Sequence, residues 1–154
     1  MGVLEDLASH LAENSTKLVL GQTLYLHTLP ELDDQAMPAM CLQLENLGAE
    51  VVRTYGAHLP VSVSPTLIAL TRSTAPNGPS DYTDPRRAQA VAWRAWELLE
   101  ATVNETVPAS STSGTFVFAI NAESDPVYIG RDERRRALFE QRLELGYMPS
   151  TSAY

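Results

Sequence analysis

Residues 125–147 read DPVYIGRDERRRALFEQRLELGY, and the second half of this stretch decides the fold. From Ala137 onward Phe139, Gln141, Leu143, Leu145 and Tyr147 fall on one side, while Leu138, Glu140, Arg142 and Glu144 fall on the other. A period of two sustained over this length predicts a long strand with one buried face and one that is wet or meets a partner. The first half is the densest cluster of charge in the chain. A glycine followed by arginines suits a phosphate, a hairpin or a surface that meets another subunit. Between Glu123 and Glu144 five arginines (131, 134, 135, 136 and 142) face six acids (123, 125, 132, 133, 140 and 144), so the window is no basic patch. A phosphate site at Gly130 needs a helix N-terminus or a nest behind it, and the following residues read as strand. Interleaved opposite charges suit salt bridges, within the hairpin or across a subunit boundary. Arginine is the cation best shaped to pair with carboxylates there.

Upstream, TFVFAIN (residues 115–121) predicts a strand with Phe116, Phe118 and Ile120 alternating against Val117 and Ala119. Before it lies a long helix: Asp84 can cap it, Pro85 suits its first position, and it frays before Pro108. Ala88, Val91, Ala92, Ala95, Leu98, Leu99 and Thr102 form its core stripe, with Trp96 at the margin and Trp93 off it among Glu97 and Glu100. The stretch STAPNGPSDYTD (residues 73–84) is a loop, long for a compact domain. VSVSPTLIALTR (residues 61–72) reads as a strand in which Pro65 requires an edge or a bulge. AMCLQLEN and TLYLH are two further strands, ELDDQAMP an acidic loop between them, and VLEDLASHLAE a first helix. That helix carries Val3, Leu4, Leu7, Ala8 and Leu11 on its stripe, with Asp6 away from it. This order predicts an α+β fold: a two-layer domain, a mostly antiparallel sheet with two helices packed on one face. A single domain spans residues 1–147, followed by a flexible tail at 148–154.

The chain has 154 residues, 11 Lys/Arg against 19 Asp/Glu, and a net charge of −8. Such acidity argues against a protein that grips nucleic acid, because that affinity comes from cations neutralising phosphates. One cysteine, Cys41, in an apolar run excludes an internal disulfide and reads as a buried thiol. No apolar run reaches the length of a membrane span, and Glu5 and Asp6 stand where a signal peptide carries positive charge. His10, His27 and His58 lack metal-ligand spacing, and no nucleophile motif or glycine-rich phosphate loop is present. No catalytic, cofactor or metal residue is assigned, and a cytoplasmic setting is expected.

The stretch ESDPVYIGRDERRRALFEQRLEL resembles the C-terminal signature of bacteriophage minor capsid proteins of the tail-terminator type. Asp125-Pro126 stands at the start of the turn, Ile129 to Glu133 match its GRDE core, Arg136 matches its closing arginine, and Phe139 opens the final strand. The first helix (Leu4, Leu7, Ala8, Leu11) and the run Gly21, Leu24, Tyr25, Leu29, Pro30 also look like that family. The middle of the chain departs from it. The resemblance implies a structural virion protein, not an enzyme. It would form a ring, commonly of six subunits, on the head-proximal end of the tail tube. Its partners would be sister subunits, the tube protein and the head–tail connector or stopper, with DNA passing through the lumen unbound and no membrane involved. A ring needs two different patches per subunit. One is expected to include Trp93, the other the turn with Arg131, Asp132, Glu133, Arg134 and Arg136. The loop with Asn77, Asp81 and Tyr82 is expected to dock. Alternatives are another neck component (a stopper, head-completion or tail-completion protein) or a small enzyme using His58 with Ser62 or Ser64.

Overall fold

A computed structural model describes residues 2–32, 35–45, 51–52, 62–63, 65–78 and 83–148. The elements, in order, are α1 (Val3–Asn14), β1 (Leu24–Leu26), β2 (Ala39–Glu45), β3 (Val51–Val52), β4 (Ser62–Val63), β5 (Thr66–Arg72), α2 (Thr83–Glu100), β6 (Val103–Val107), β7 (Thr115–Ala122), β8 (Val127–Arg131) and β9 (Ala137–Tyr147). Two helices with one mixed sheet make the chain α+β.

The predicted long strand is β9, and it is the hub of the sheet. One of its edges pairs antiparallel with β5 and, at Tyr147, with β4. Its other edge pairs antiparallel with β8 near its start and with β7 near its end. Further out, β2 pairs with β5, β1 with β2, and β6 with β7. Alternation along β9 follows the sequence: Ala137, Phe139, Gln141, Leu143 and Leu145 are buried. Leu143 and Leu145 join Leu42, Leu67, Ala69, Leu99 and the α1 stripe in one core cluster, while Ala137 and Phe139 pack with Ala88 and Ala92 of α2. The small residues at 88, 92 and 95 let α2 approach closely, and the buried Gln141 amide donates to the Ala92 carbonyl at 3.3 Å.

The structure departs from the sequence reading at several points. The β1–β2 pair is parallel. Parallel neighbours need a crossover of about a dozen residues, and residues 27–38 supply it. The helix α2 begins at Thr83, one residue before the proposed cap, and ends at Glu100. Val103–Val107, read as its fraying end, is instead a strand that pairs with β7; its β-branched residues favour that state. The strand expected over 61–72 is two pieces, β4 and β5. Pro65 has no N–H to extend the ladder, although its carbonyl still accepts the Leu145 N–H at 3.0 Å. Along β7 a register irregularity between Val117 and Ala119 resets the alternation, so Val117 and Ile120 are the buried pair. Phe116 and Phe118 meet edge to face with ring centres 5.1 Å apart, outside the core cluster. Asp6 is only 2 % exposed, and Thr115 Oγ1 at the start of β7 donates to its carboxylate at 2.6 Å. The expected tail start, Met148, donates its N–H to Phe116 O at 2.9 Å; residues 149–154 lie outside the described residues.

His10 is buried on α1, its Nε2 3.3 Å from Thr102 Oγ1, and its Nδ1 has no hydrogen-bond partner among the described residues. Burial pushes its pKa down from 6.5, against the pull of Glu105 and Glu13. A depressed histidine pKa means that the unfolded chain binds the proton more readily. Its stabilising effect is therefore complete above the unfolded value of 6.5 and declines as pH falls below it. Denaturant unfolding of the wild type should show a stability loss between neutral pH and pH of about 5 that shrinks in His10→Gln.

Candidate assembly surface

The GRDERRR turn folds around one carboxylate. Asp132 Oδ1 accepts the backbone N–H groups of Arg134 at 3.0 Å and Arg136 at 2.9 Å, and Oδ2 accepts Arg136 Nε at 2.7 Å. The main chain closes the same loop: Asp132 N–H donates to Arg136 O at 3.0 Å, and Arg135 N–H to Asp132 O at 2.9 Å. Arg135 takes a left-handed φ of 65°, and Gly130 a φ of 116° beside the register shift between Tyr128 and Gly130. The connection read as a charged turn between two strands thus contains a strand of its own, β8. Burial alone would raise the Asp132 carboxyl. The Arg136 N–H and guanidinium, with the Arg134 N–H, outweigh this and hold it below the usual carboxylate range.

Arg136 faces the interior of the chain. Only 3 % of it is exposed, and its guanidinium works within the chain. Nε holds Asp132, and Nη2 lies 3.3 Å from both carboxylate oxygens of Glu31. Arg136 was expected at a subunit boundary; the packing of the crossover loop against the turn turns it inward. Glu31 also lies 3.8 Å from Arg72 Nη1 and from Arg134 Nε. Arg72, 3 % exposed, donates to Gln35 Oε1 at 2.9 Å and to Pro30 O at 2.8 Å. Burial and the adjacent Arg136 charge lower its pKa, while Glu31 and Asp132 oppose them. Pro30 and Gln35, which flank the acidic loop, thus bond to the end of β5, while the Glu31 side chain stays 68 % exposed and Asp33 and Asp34 lie outside the described residues. A half-open cleft of about 510 Å³ remains, lined by Glu31, Asp132, Glu133, Arg134 and Arg136. The sequence marks Glu31 only as part of an acidic loop and gives Arg72 no role; 105 residues separate Glu31 from Arg136, and no local pattern signals their meeting.

The other predicted site residues fall as follows. Arg131, Glu133, Arg134 and Arg135 are exposed at the tip of the hairpin, Arg131 donating to the Arg135 carbonyl. Trp93 is half-buried, edge-on to Trp96 with ring centres 5.4 Å apart. Glu100, two turns further along the same flank of α2, accepts the Ala122 N–H at 2.9 Å, so this flank lies toward the end of β7. Asn77 is exposed, whereas Asp81 and Tyr82 lie outside the described residues. The first residues of that loop are built into the sheet. Ser73 is fully buried, its N–H donates to Ala137 O at 2.9 Å, and its Oγ accepts the Ala137 N–H at 2.8 Å.

Among the described residues no group of three or more His, Cys, Asp and Glu side chains is placed to hold a metal ion. Of the residues named for the enzyme alternative, His58 and Ser64 lie outside the described residues, and Ser62 begins β4. A smaller cleft of about 190 Å³ is lined by Met37, Pro38, Ala90 and Val91 together with Lys17, Arg87 and Arg94. Arg87 and Arg94 there pair with Asp84 at 3.6 Å and Glu97 at 3.3 Å. No model of a known protein family matches the chain, and no curated protein matches it.

Proposed function

We propose that this chain is a structural virion protein of the tail-terminator type. It forms a ring, six subunits being the commonest number for such proteins, at the head-proximal end of a phage tail tube. There it stops tube polymerisation and presents a surface to the head–tail connector or stopper protein. Both helices pack on one face of a mostly antiparallel sheet in two layers, and the net charge of −8 lets DNA slide through the lumen without adhering.

The observation that carries this reading is the construction of the GRDE turn. Asp132 and the buried Arg136 make it rigid from within, and it holds Arg131, Glu133, Arg134 and Arg135 at the surface. A charged tip of fixed shape suits electrostatic registration between subunits, or between a ring and its neighbours. The test is electron microscopy of tail tubes assembled with and without the protein. Added protein should give tubes capped at one end by a ring and of narrowed length distribution. Unchanged lengths and no added density at either end would overturn the proposal. Charge reversal at Arg131 should leave the fold intact and reduce capping.

A further inference from the structure

Two buried guanidiniums, Arg72 and Arg136, share the exposed carboxylate of Glu31. Buried charges are ordinarily paired at close range. Arg136 meets that need at Nε, which binds Asp132 at 2.7 Å. Arg72 gives two of its donors to neutral acceptors, Gln35 Oε1 and the Pro30 carbonyl. Glu31 balances the remaining charge, and it does so loosely. Its carboxylate lies 3.3 Å from Arg136 Nη2 and 3.8 Å from both Arg72 Nη1 and Arg134 Nε, beyond the about 2.7–2.9 Å of a well-formed charge-assisted bond.

Arg136 also has a donor left over. Its Nη1 is buried and finds no acceptor among the described residues. An unmet donor on a charged group costs more than one on a neutral group, and such an atom calls for a reason. Arg136 lines the cleft of about 510 Å³ together with Glu31, Asp132, Glu133 and Arg134. The Glu31 side chain, 68 % exposed, is therefore the one carboxylate of the cluster that can leave for solvent without unmaking the turn. Asp132 stays in place through its bonds to the Arg134 and Arg136 backbone.

We propose that this cleft binds a small oxyanion, a phosphate or a carboxylate group, and that Glu31 holds the place of that ligand in the free chain. With Glu31 turned out, Arg72, Arg134 and Arg136 surround the seat, and Asp132 is the carboxylate still bonded to them. Guanidinium forks match the oxygens of both anion types. A ligand with two or more free acceptor oxygens supplies Arg136 with the bonds that Glu31 leaves long or unmade, while Nε keeps its hold on Asp132. Glu133, the other acid lining the cleft, is exposed, so water weakens its repulsion. The donors are side chains from two distant parts of the chain, not the backbone at Gly130. The site goes beyond the ring reading and does not rest on it.

The experiment titrates the full chain with inorganic phosphate and, in a second arm, with glutarate, at constant ionic strength. Backbone amide and arginine Nε–H NMR signals report binding. At least one anion should give saturable shifts confined to residues 31, 72 and 131–136, and the anion that does so identifies the group recognised. Glu31→Gln removes the competing charge from an exposed position and should bind about threefold more tightly. Arg134→Ala, whose side chain is 46 % exposed, should keep the wild-type unfolding midpoint and bind more weakly. If Glu31→Gln loses the fold, Glu31→Ala takes its place. Shifts that never saturate, or that spread equally over Arg86, Arg87 and Arg94, would mean an adventitious ion only and would overturn the site. No response to either anion, or a Glu31 variant that binds no more tightly than the wild type, would overturn it as well.

Discussion

Arg136→Ala should cost about 3–5 kcal/mol of folding stability, the loss typical of removing one partner from a buried ion pair. The guanidinium is 3 % exposed, and its charge neutralises Asp132, whose side chain is 22 % exposed. Removing it leaves that carboxylate without its closest cation and frees the Glu31 end of the crossover loop. Arg134→Ala, two residues away, should change stability by no more than about 0.5 kcal/mol, because its side chain is 46 % exposed and its 3.8 Å contact with Glu31 is screened. Urea unfolding of both variants checks the contrast. Equal losses would mean that the turn is held by its backbone hydrogen bonds alone. The cluster also has an acid limit. Asp132 is held below its ordinary 3.8, so its contribution is present above that value and disappears as pH falls through the lower folded one.

Leu143→Ala should cost about 3–4 kcal/mol, in the range measured for fully buried leucines that leave a cavity. Leu143 is fully buried and lies between Leu67 of β5 and Ala122 of β7, at the point where the two halves of the sheet join. Neither neighbouring strand can collapse inward, since both are fixed to β9 by backbone pairing. Arg142→Ala should leave the unfolding midpoint close to the wild-type value. Its side chain is 42 % exposed and bonds to Glu45 and Glu140 at 3.2 Å on the opposite face. Denaturant midpoints of the two variants measure this difference between adjacent residues. A small effect at Leu143 would mean that α2 closes over the gap.

Local order was legible in the sequence wherever a period could be counted. The alternation of β9, the stripe of α1 and the alanine-rich face of α2 each follow from side chains a few residues apart, and they bury the residues expected except Val91, Leu98 and Tyr147, which are partly buried. Elements failed to follow the pattern where a single backbone event intervened. Pro65 split one strand into two, the irregularity after Val117 shifted the core face of β7, and Val103–Val107 left the helix to pair with β7.

The roles of the charged residues were not legible. By itself the sequence determined that a nearly balanced charged turn joins two strands of an acidic α+β chain and starts no phosphate-binding helix. Only the tertiary structure decided that Arg136 turns inward while Arg131, Glu133, Arg134 and Arg135 stay at the surface. It alone brought Glu31 and Arg72 to the cluster. The physical reason is range: periodicity reports neighbours in the chain, whereas an ion pair spanning 105 residues exists only once the crossover loop has met the turn.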